Sequence, residues 1–202
     1  MSNIVTCKFP GFDSLILIAD SYKRLGSKSF KNGATAIGIA PFKGESAYLH
    51  NVFPVCTTSE IDSVEKKLGF QIPRDFRGFL LKKMNGIDLF SGTLSIFGFK
   101  SSRRSDDCQP YDILLPNTLE RPDWLGKGNL IVGSYSWNGS LVVMSSQEGV
   151  TLHEAENGKS ICKWTSLDRF FESESRRLLH FFSLEGRKLI ADANTEPPNE
   201  AK

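Results

Sequence analysis

The sequence predicts a mixed α+β domain: a helical hairpin followed by an antiparallel β-meander that packs against a C-terminal helix. Three observations carry this reading. Apolar residues recur at helical spacing in two stretches between Thr58 and Gly86, separated by Gly69 and Pro73. Short β-rich runs from Leu130 to Trp164 are divided by Asn-Gly turn pairs. An apolar stripe of helical period then returns from Leu167 to Phe182.

The first helix is expected from Thr58, with Ser59 as its N-cap and Glu60 and Asp62 near the positive end of its dipole. Ile61, Val64 and Leu68 form its apolar face, and Gly69 stops it. Pro73 suits the first position of the second helix, where a missing N–H costs nothing. Phe76, Phe79, Leu80 and Met84 give that helix its buried stripe, and Asn85-Gly86 closes it with a residue able to turn left-handed. Thr93–Phe97 alternates and reads as a strand. Residues 100–129 are polar and hold prolines at 110, 116 and 122, which suits a long loop with a short helix near Asp112–Leu119.

Strands are expected over Leu130–Trp137, Ser140–Ser145, Val150–Ala155 and Ser160–Trp164. Asn138-Gly139 is the sequence of a two-residue type I′ hairpin, which needs positive φ at both central positions. Gln147-Glu148-Gly149 and Asn157-Gly158 supply the later turns. Thr165 or Ser166 caps the last helix, whose Leu167, Phe170, Phe171, Leu178, Phe181 and Phe182 face a sheet. Ahead of the hairpin, Leu15–Ala19, Ala34–Ala40 and Tyr48–Val55 are apolar stretches that suit strands, although Ser14–Leu25 equally suits a short helix. The chain thus divides into an N-terminal extension (1–57) able to carry extra strands, a domain (58–184) and a polar tail (185–202) that reads as disordered.

Composition bounds the function. The 202 residues carry a net charge of +2, with 40% hydrophobic residues and 15 phenylalanines, so a phenylalanine-lined core is expected. Residues 1–57 hold six basic and three acidic side chains, and the remainder 19 and 20. Such a mild bias reads as a solvated face and does not point to nucleic acid. No targeting segment is visible, because the run Leu15–Ala19 is too short for a signal core or a membrane span. Cys7, Cys56, Cys108 and Cys162 are widely scattered, which fits reduced thiols in a cytoplasmic protein.

Familiar chemistry is missing from the sequence. His50, His153 and His180 are isolated, and no two cysteines are close, so no zinc site is expected. Gly158-Lys159-Ser160 ends like a phosphate loop, but His153 stands where the first glycine belongs and a strand follows where a helix is needed. Gly126-Lys127-Gly128 lacks the later glycine of a dinucleotide fingerprint. No G-x-S-x-G elbow occurs, so no catalytic residue and no cofactor are expected, and the enzyme alternative is one of unrecognised type. Tyr135, Trp137 and Trp164 are aromatic enough to stack on bases, but few lysines or arginines flank them, and core positions explain them better.

Residues 58–175 resemble the SUKH superfamily. The run from Glu60 to Leu80 carries a helical glutamate (Glu65), Leu68-Gly69, the apolar-proline step Ile72-Pro73, an aromatic (Phe76) and Phe79-Leu80. Asn85-Gly86, an aliphatic strand, the Asn138-Gly139 hairpin, a strand with Val150, Trp164 and Leu167-Asp168-Arg169-Phe170-Phe171 follow in the family's order. Glu65, Leu68, Gly69, Pro73, Phe76, Phe79, Leu80, Asn85, Gly86, Trp164 and Phe170 carry over as fold determinants. The resemblance implies a binding protein: an immunity protein that neutralises a cognate secreted toxin, or a regulator in cell-wall signalling. A nuclease is one such toxin, yet this chain lacks the acidity that a basic nuclease selects. No direct contact with nucleic acid or membrane is implied. Tyr135, Trp137 and Asn138, aromatic residues beside an exposed turn, are the candidate partner-binding residues.

Overall fold

The computed structural model describes residues 11–100, 108–145 and 149–189. Among them, the sheet has nine antiparallel strands laid side by side in chain order. Strands β1 (Ser27–Ser29), β2 (Thr35–Ile39) and β3 (Tyr48–Val52) precede the helical hairpin, and β4 (Ile87–Leu89) and β5 (Leu94–Ile96) follow it. Next come β6 (Leu130–Tyr135), β7 (Leu141–Ser145), β8 (Gly149–His153) and β9 (Ser160–Trp164). The helices are α1 (Ser14–Ser21), α2 (Thr58–Leu68), α3 (Arg74–Lys82) and α4 (Leu167–Phe181). The mixed α+β class, the hairpin, the meander and the closing helix are all present.

Residues 11–57, set apart in the sequence as an extension, contribute to this same sheet and core. Leu15–Ala19 lies in helix α1, and Leu15, Ile18 and Ala19 are fully buried. Ser175 in α4 donates to Ser14 Oγ at 2.8 Å, and Ser14 donates to the Gly11 carbonyl at 2.7 Å. The start of the expected tail is also built in. Phe182 and Lys188 form an antiparallel bridge, and the Arg187 guanidinium lies 4.4 Å from the centre of the Phe42 ring. Residues 190–202, the Arg103–Asp107 loop and Gln147-Glu148 fall outside the described residues.

Several local expectations shift by a residue or two. Thr57, not Ser59, caps α2: its Oγ1 accepts from Glu60 N, and Glu60 Oε2 accepts from Thr57 N at 2.7 Å. This capping box needs Thr and Glu three apart, a spacing Ser59 lacks. Gly69 ends α2 in the left-handed region as expected (φ 75°). Pro73 stands at the N-cap of α3. Glu65 staples the two helices, since its Oε1 accepts from Ile72 N at 3.0 Å and lies 3.5 Å from Arg77 Nε.

Asn138-Gly139 does not form a type I′ turn. Residues 136–139 make a four-residue loop, closed by Tyr135 N–H to Ser140 O and Gly139 N–H to Tyr135 O, each at 3.0 Å. Only Gly139 has positive φ there; Asn138 acts through its side chain, accepting from Ser140 N at 2.9 Å. Asn157-Gly158 repeats this geometry between Glu154 and Lys159. Asparagine thus works by capping the turn with its amide rather than by entering the left-handed region.

The register places Ile87, Leu89, Leu94, Ile96 and Tyr135 on the sheet face that α4 covers. Phe79 of α3 lies 5.1 Å from Phe171 of α4, and Phe76 and Phe12 extend the cluster. Phe170 carries it to Trp164, with ring centres 4.8 Å apart. Phe76, Phe79, Leu80 and Phe170 are essentially inaccessible, and Leu68 is half-buried at the edge of the core. Phe79→Ala should therefore cost about 3–5 kcal/mol in denaturant unfolding, and a loss below about 1 kcal/mol would refute this packing.

Candidate functional site

Two surfaces of the fold carry unusual polar chemistry. The first lies along α4. Its inward face buries Phe170, Phe171 and Leu178 together with the carboxylate of Glu174, which is 0% exposed. A buried carboxylate must be paired. Tyr135 donates its hydroxyl to Glu174 Oε2, and Arg177 forms an ion pair with the same oxygen while its Nε lies 3.0 Å from both oxygens. Burial, followed by the neighbouring Glu174 charge, pushes the Tyr135 hydroxyl well above its ordinary value. For Arg177 burial pulls downward, but the bonds to Glu174 outweigh it and hold the guanidinium above its usual range.

With Glu174 inward, α4 turns a basic stripe outward. Trp164, Arg169, Glu172, Ser173, Arg176, Arg177 and His180 line a groove of about 350 Å³. Glu172 sits midway and bridges Arg169 and Arg176, each at 3.1 Å. These are exposed pairs that add little stability. They do orient two guanidinium groups on one side of the helix.

The second surface is the opposite face of the sheet. Asn51, Asp88, Ser95 and Ser134 are register partners across β3 to β6, forming a polar row. Asp88 is 8% exposed, and burial raises its carboxyl from 3.8 to about 6 despite hydrogen bonds from Ser95 and Asn51. Asn51 Nδ2 reaches Asp88 Oδ2 at 3.5 Å, while Oδ1 has no partner. The excursion after β5 crosses this face. Asn117 clasps Ile131, donating to its carbonyl and accepting from its N–H at 2.8 Å each, and Trp124 stacks on His153 at 5.2 Å. The helix expected near Asp112–Leu119 is a single 3₁₀ turn, Leu115–Asn117.

The expected partner-binding residues do not form one exposed patch. Tyr135 is buried at 1% exposure and bonded to Glu174, so its ring is not an available anchor. Strand alternation put it on the helix face, which the sequence left undetermined. Trp137 is half-buried against Tyr135 at 5.9 Å, and its Nε1 is enclosed without an acceptor. Asn138 is exposed at the hairpin tip. The α4 groove was missed, although Arg169, Ser173, Arg176 and His180 stand at helical spacing opposite the phenylalanine stripe and mark it in the sequence.

Among the described residues, no group of three His, Cys, Asp or Glu side chains is arranged to hold a metal ion. His50 is fully buried between Tyr22 and Phe90, and burial lowers its imidazole to about 3. Cys56 is raised to about 12 by burial and by the Glu60 charge, the environment of an inert thiol. No described helix is long and apolar enough to cross a membrane.

A family model, the SMI1 / KNR4 family (SUKH-1), matches residues 55–173, more than half of the chain. The chain belongs to this family. The SUKH-1 match begins just before the capping box of α2 and ends within α4, so it takes in Glu65, the α2–α3 hairpin and strands β4 to β9. A search of curated proteins finds no match.

Asp88 gives this SUKH-1 domain a pH signature. Its folded value lies above the unfolded one, so its favourable contribution is full below about pH 4 and lost as pH rises through 6. Burial of the ionised form at pH 7.5 costs on the order of 3 kcal/mol. His50 has the opposite dependence, because its folded value is depressed and acid disfavours the fold. Comparison with Asp88→Asn isolates the carboxyl: the variant should gain stability over the parent as pH rises from 5 to 7.5, measured by thermal unfolding. A difference that is flat with pH would show that Asp88 titrates normally.

Proposed function

We propose that this protein is a cytoplasmic immunity protein that neutralises a cognate secreted toxin by stoichiometric binding, without turnover. SUKH-1 membership across residues 55–173 is the observation that carries this reading. Two features support it. Buried ionisable groups such as Glu174 and His50 are enclosed in the core, where they do not meet a substrate. Polar chemistry reaches solvent along the α4 groove, a surface suited to docking another macromolecule.

Masking a toxin's active site requires only a tight interface, which buries on the order of 1,600 Å² in total and depends on a few anchors. Protection should then be stoichiometric. Co-expression with the toxin encoded beside this gene should relieve growth arrest, and doubling the toxin should demand twice as much of this protein. Unrelieved arrest, with no complex on size-exclusion chromatography, would sink the immunity reading and favour a regulatory scaffold in cell-wall or stress signalling.

A further inference from the structure

We infer that the α4 groove is the docking site for an acidic, extended segment of the partner protein, with Arg169 and Arg176 as the carboxylate-binding residues. This rests on the protein-binding reading above and names the chemistry of the partner's contact.

The helix geometry sets the pattern. Arg169 and Arg176 are seven residues apart on α4, two turns or roughly 10 Å along its axis. Both project to solvent, with side chains 71% and 63% exposed. Each is oriented by an ion pair to Glu172, yet a guanidinium carries five N–H donors in a planar fork that matches a carboxylate. His180 continues the stripe one turn beyond Arg176, and the Trp164 ring lines the groove beside it.

Charge decides the sign of the occupant. The lining holds three arginines and one acid, and Glu174, from the helix's inner face, neutralises Arg177. The balance stays positive along the groove. Spacing decides the class. Two separated guanidinium groups with a carboxylate between them suit discrete carboxylates on a peptide. A continuous phosphate backbone would meet Glu172 at close range, and a chain with a net charge of +2 offers little of the electrostatic footprint nucleic acid requires. Among the described residues β9 is the last strand in the order, and its final residue, Trp164, lines the groove.

The test uses a fluorescein-labelled peptide of alternating glutamate and glycine, its glutamine counterpart, and a single-stranded oligonucleotide of equal charge, each titrated by anisotropy. The acidic peptide should bind, the glutamine peptide should not, and the oligonucleotide should bind more weakly. Arg169→Glu with Arg176→Glu should weaken the acidic peptide at least tenfold. Equal charge reversal elsewhere, Lys31→Glu with Lys66→Glu, should change it less than twofold. If the reversed pair unfolds by circular dichroism, Arg169→Gln with Arg176→Gln keeps the fold and should still weaken binding at least threefold. Equal loss in both reversals, or tighter oligonucleotide binding, would overturn the inference. The same variants in the toxin co-expression assay separate the two conclusions. Protection by the parent and equally by the arginine variants would overturn the groove while leaving immunity intact. A parent that fails to protect would overturn immunity, and the peptide titration would still decide the groove.

Discussion

The burial of one carboxylate sets the orientation of α4 and, through it, of the exposed surface. Glu174 is shut away from water and Arg177, three residues on in the same helix, travels with it, so α4 settles where Tyr135 of the sheet can reach the pair. That requirement fixes the rotation of the helix about its own axis. Hydrophobic contacts alone would tolerate some rolling, because Phe170, Phe171 and Leu178 form a broad stripe. A hydrogen-bonded ion pair inside low dielectric has a narrower geometry. Buried pairs of this type often add little net stability compared with an apolar replacement. Here the Tyr135 hydrogen bond to that pair selects one docking of α4, and the outward direction of Arg169 and Arg176 follows from that selection.

A second constraint ties the helical hairpin to the sheet. Asn85 accepts from Phe99 N at 2.7 Å and donates to Phe99 O at 2.8 Å, tying the end of the helical hairpin to the chain just beyond β5. The approach is so close that a side chain at Gly98 would lie 2.1 Å from Asn85 O, and one at Gly86 2.5 Å from Ile96 O. Among the described residues of the excursion, Asn117 fastens it to the backbone of β6 and Trp124 stacks on His153. The face that carries the Asn51–Asp88–Ser95–Ser134 row is thereby partly roofed by the chain's own loop. Grooves stay open to solvent on both sides, one along α4 and one lined by Lys28, Lys43, Asn51 and Cys108.

The sequence made the hairpin, the four-stranded meander and α4 legible because each is set by local rules: helical spacing, capping residues and turn residues. Phe76, Phe79 and Phe170 were readable as core for the same reason. Other features depended on long-range pairing. Ile87–Leu89 is three residues long, too short for periodicity, and is a strand because β3 and β5 flank it. Residues 11–57 were ambiguous because α1 is apolar without a sharp stripe, and its burial depends on α4, more than 150 residues away. Tyr135 is the instructive site residue. Its neighbourhood in sequence, an exposed turn, suggested a surface anchor, whereas its partner Glu174 lies 39 positions on.

The oriented arginines bear on how such a surface could combine affinity with a modest net charge. An exposed arginine on a mobile side chain loses rotamer freedom when it docks, on the order of 0.5–1.5 kcal/mol each. Arg169 and Arg176 are already steered by Glu172, so part of that ordering is present before a partner arrives. Glu172 also exacts a penalty, since an incoming carboxylate must share each guanidinium with it. Only a ligand that places acids near both arginines, and keeps away from Glu172, gains fully. A uniformly acidic surface would meet repulsion midway along the groove, whereas a segment with matched spacing would not. The central acid therefore converts a generic basic stripe into a selective one, because it penalises wrong spacing as well as rewarding the right charge.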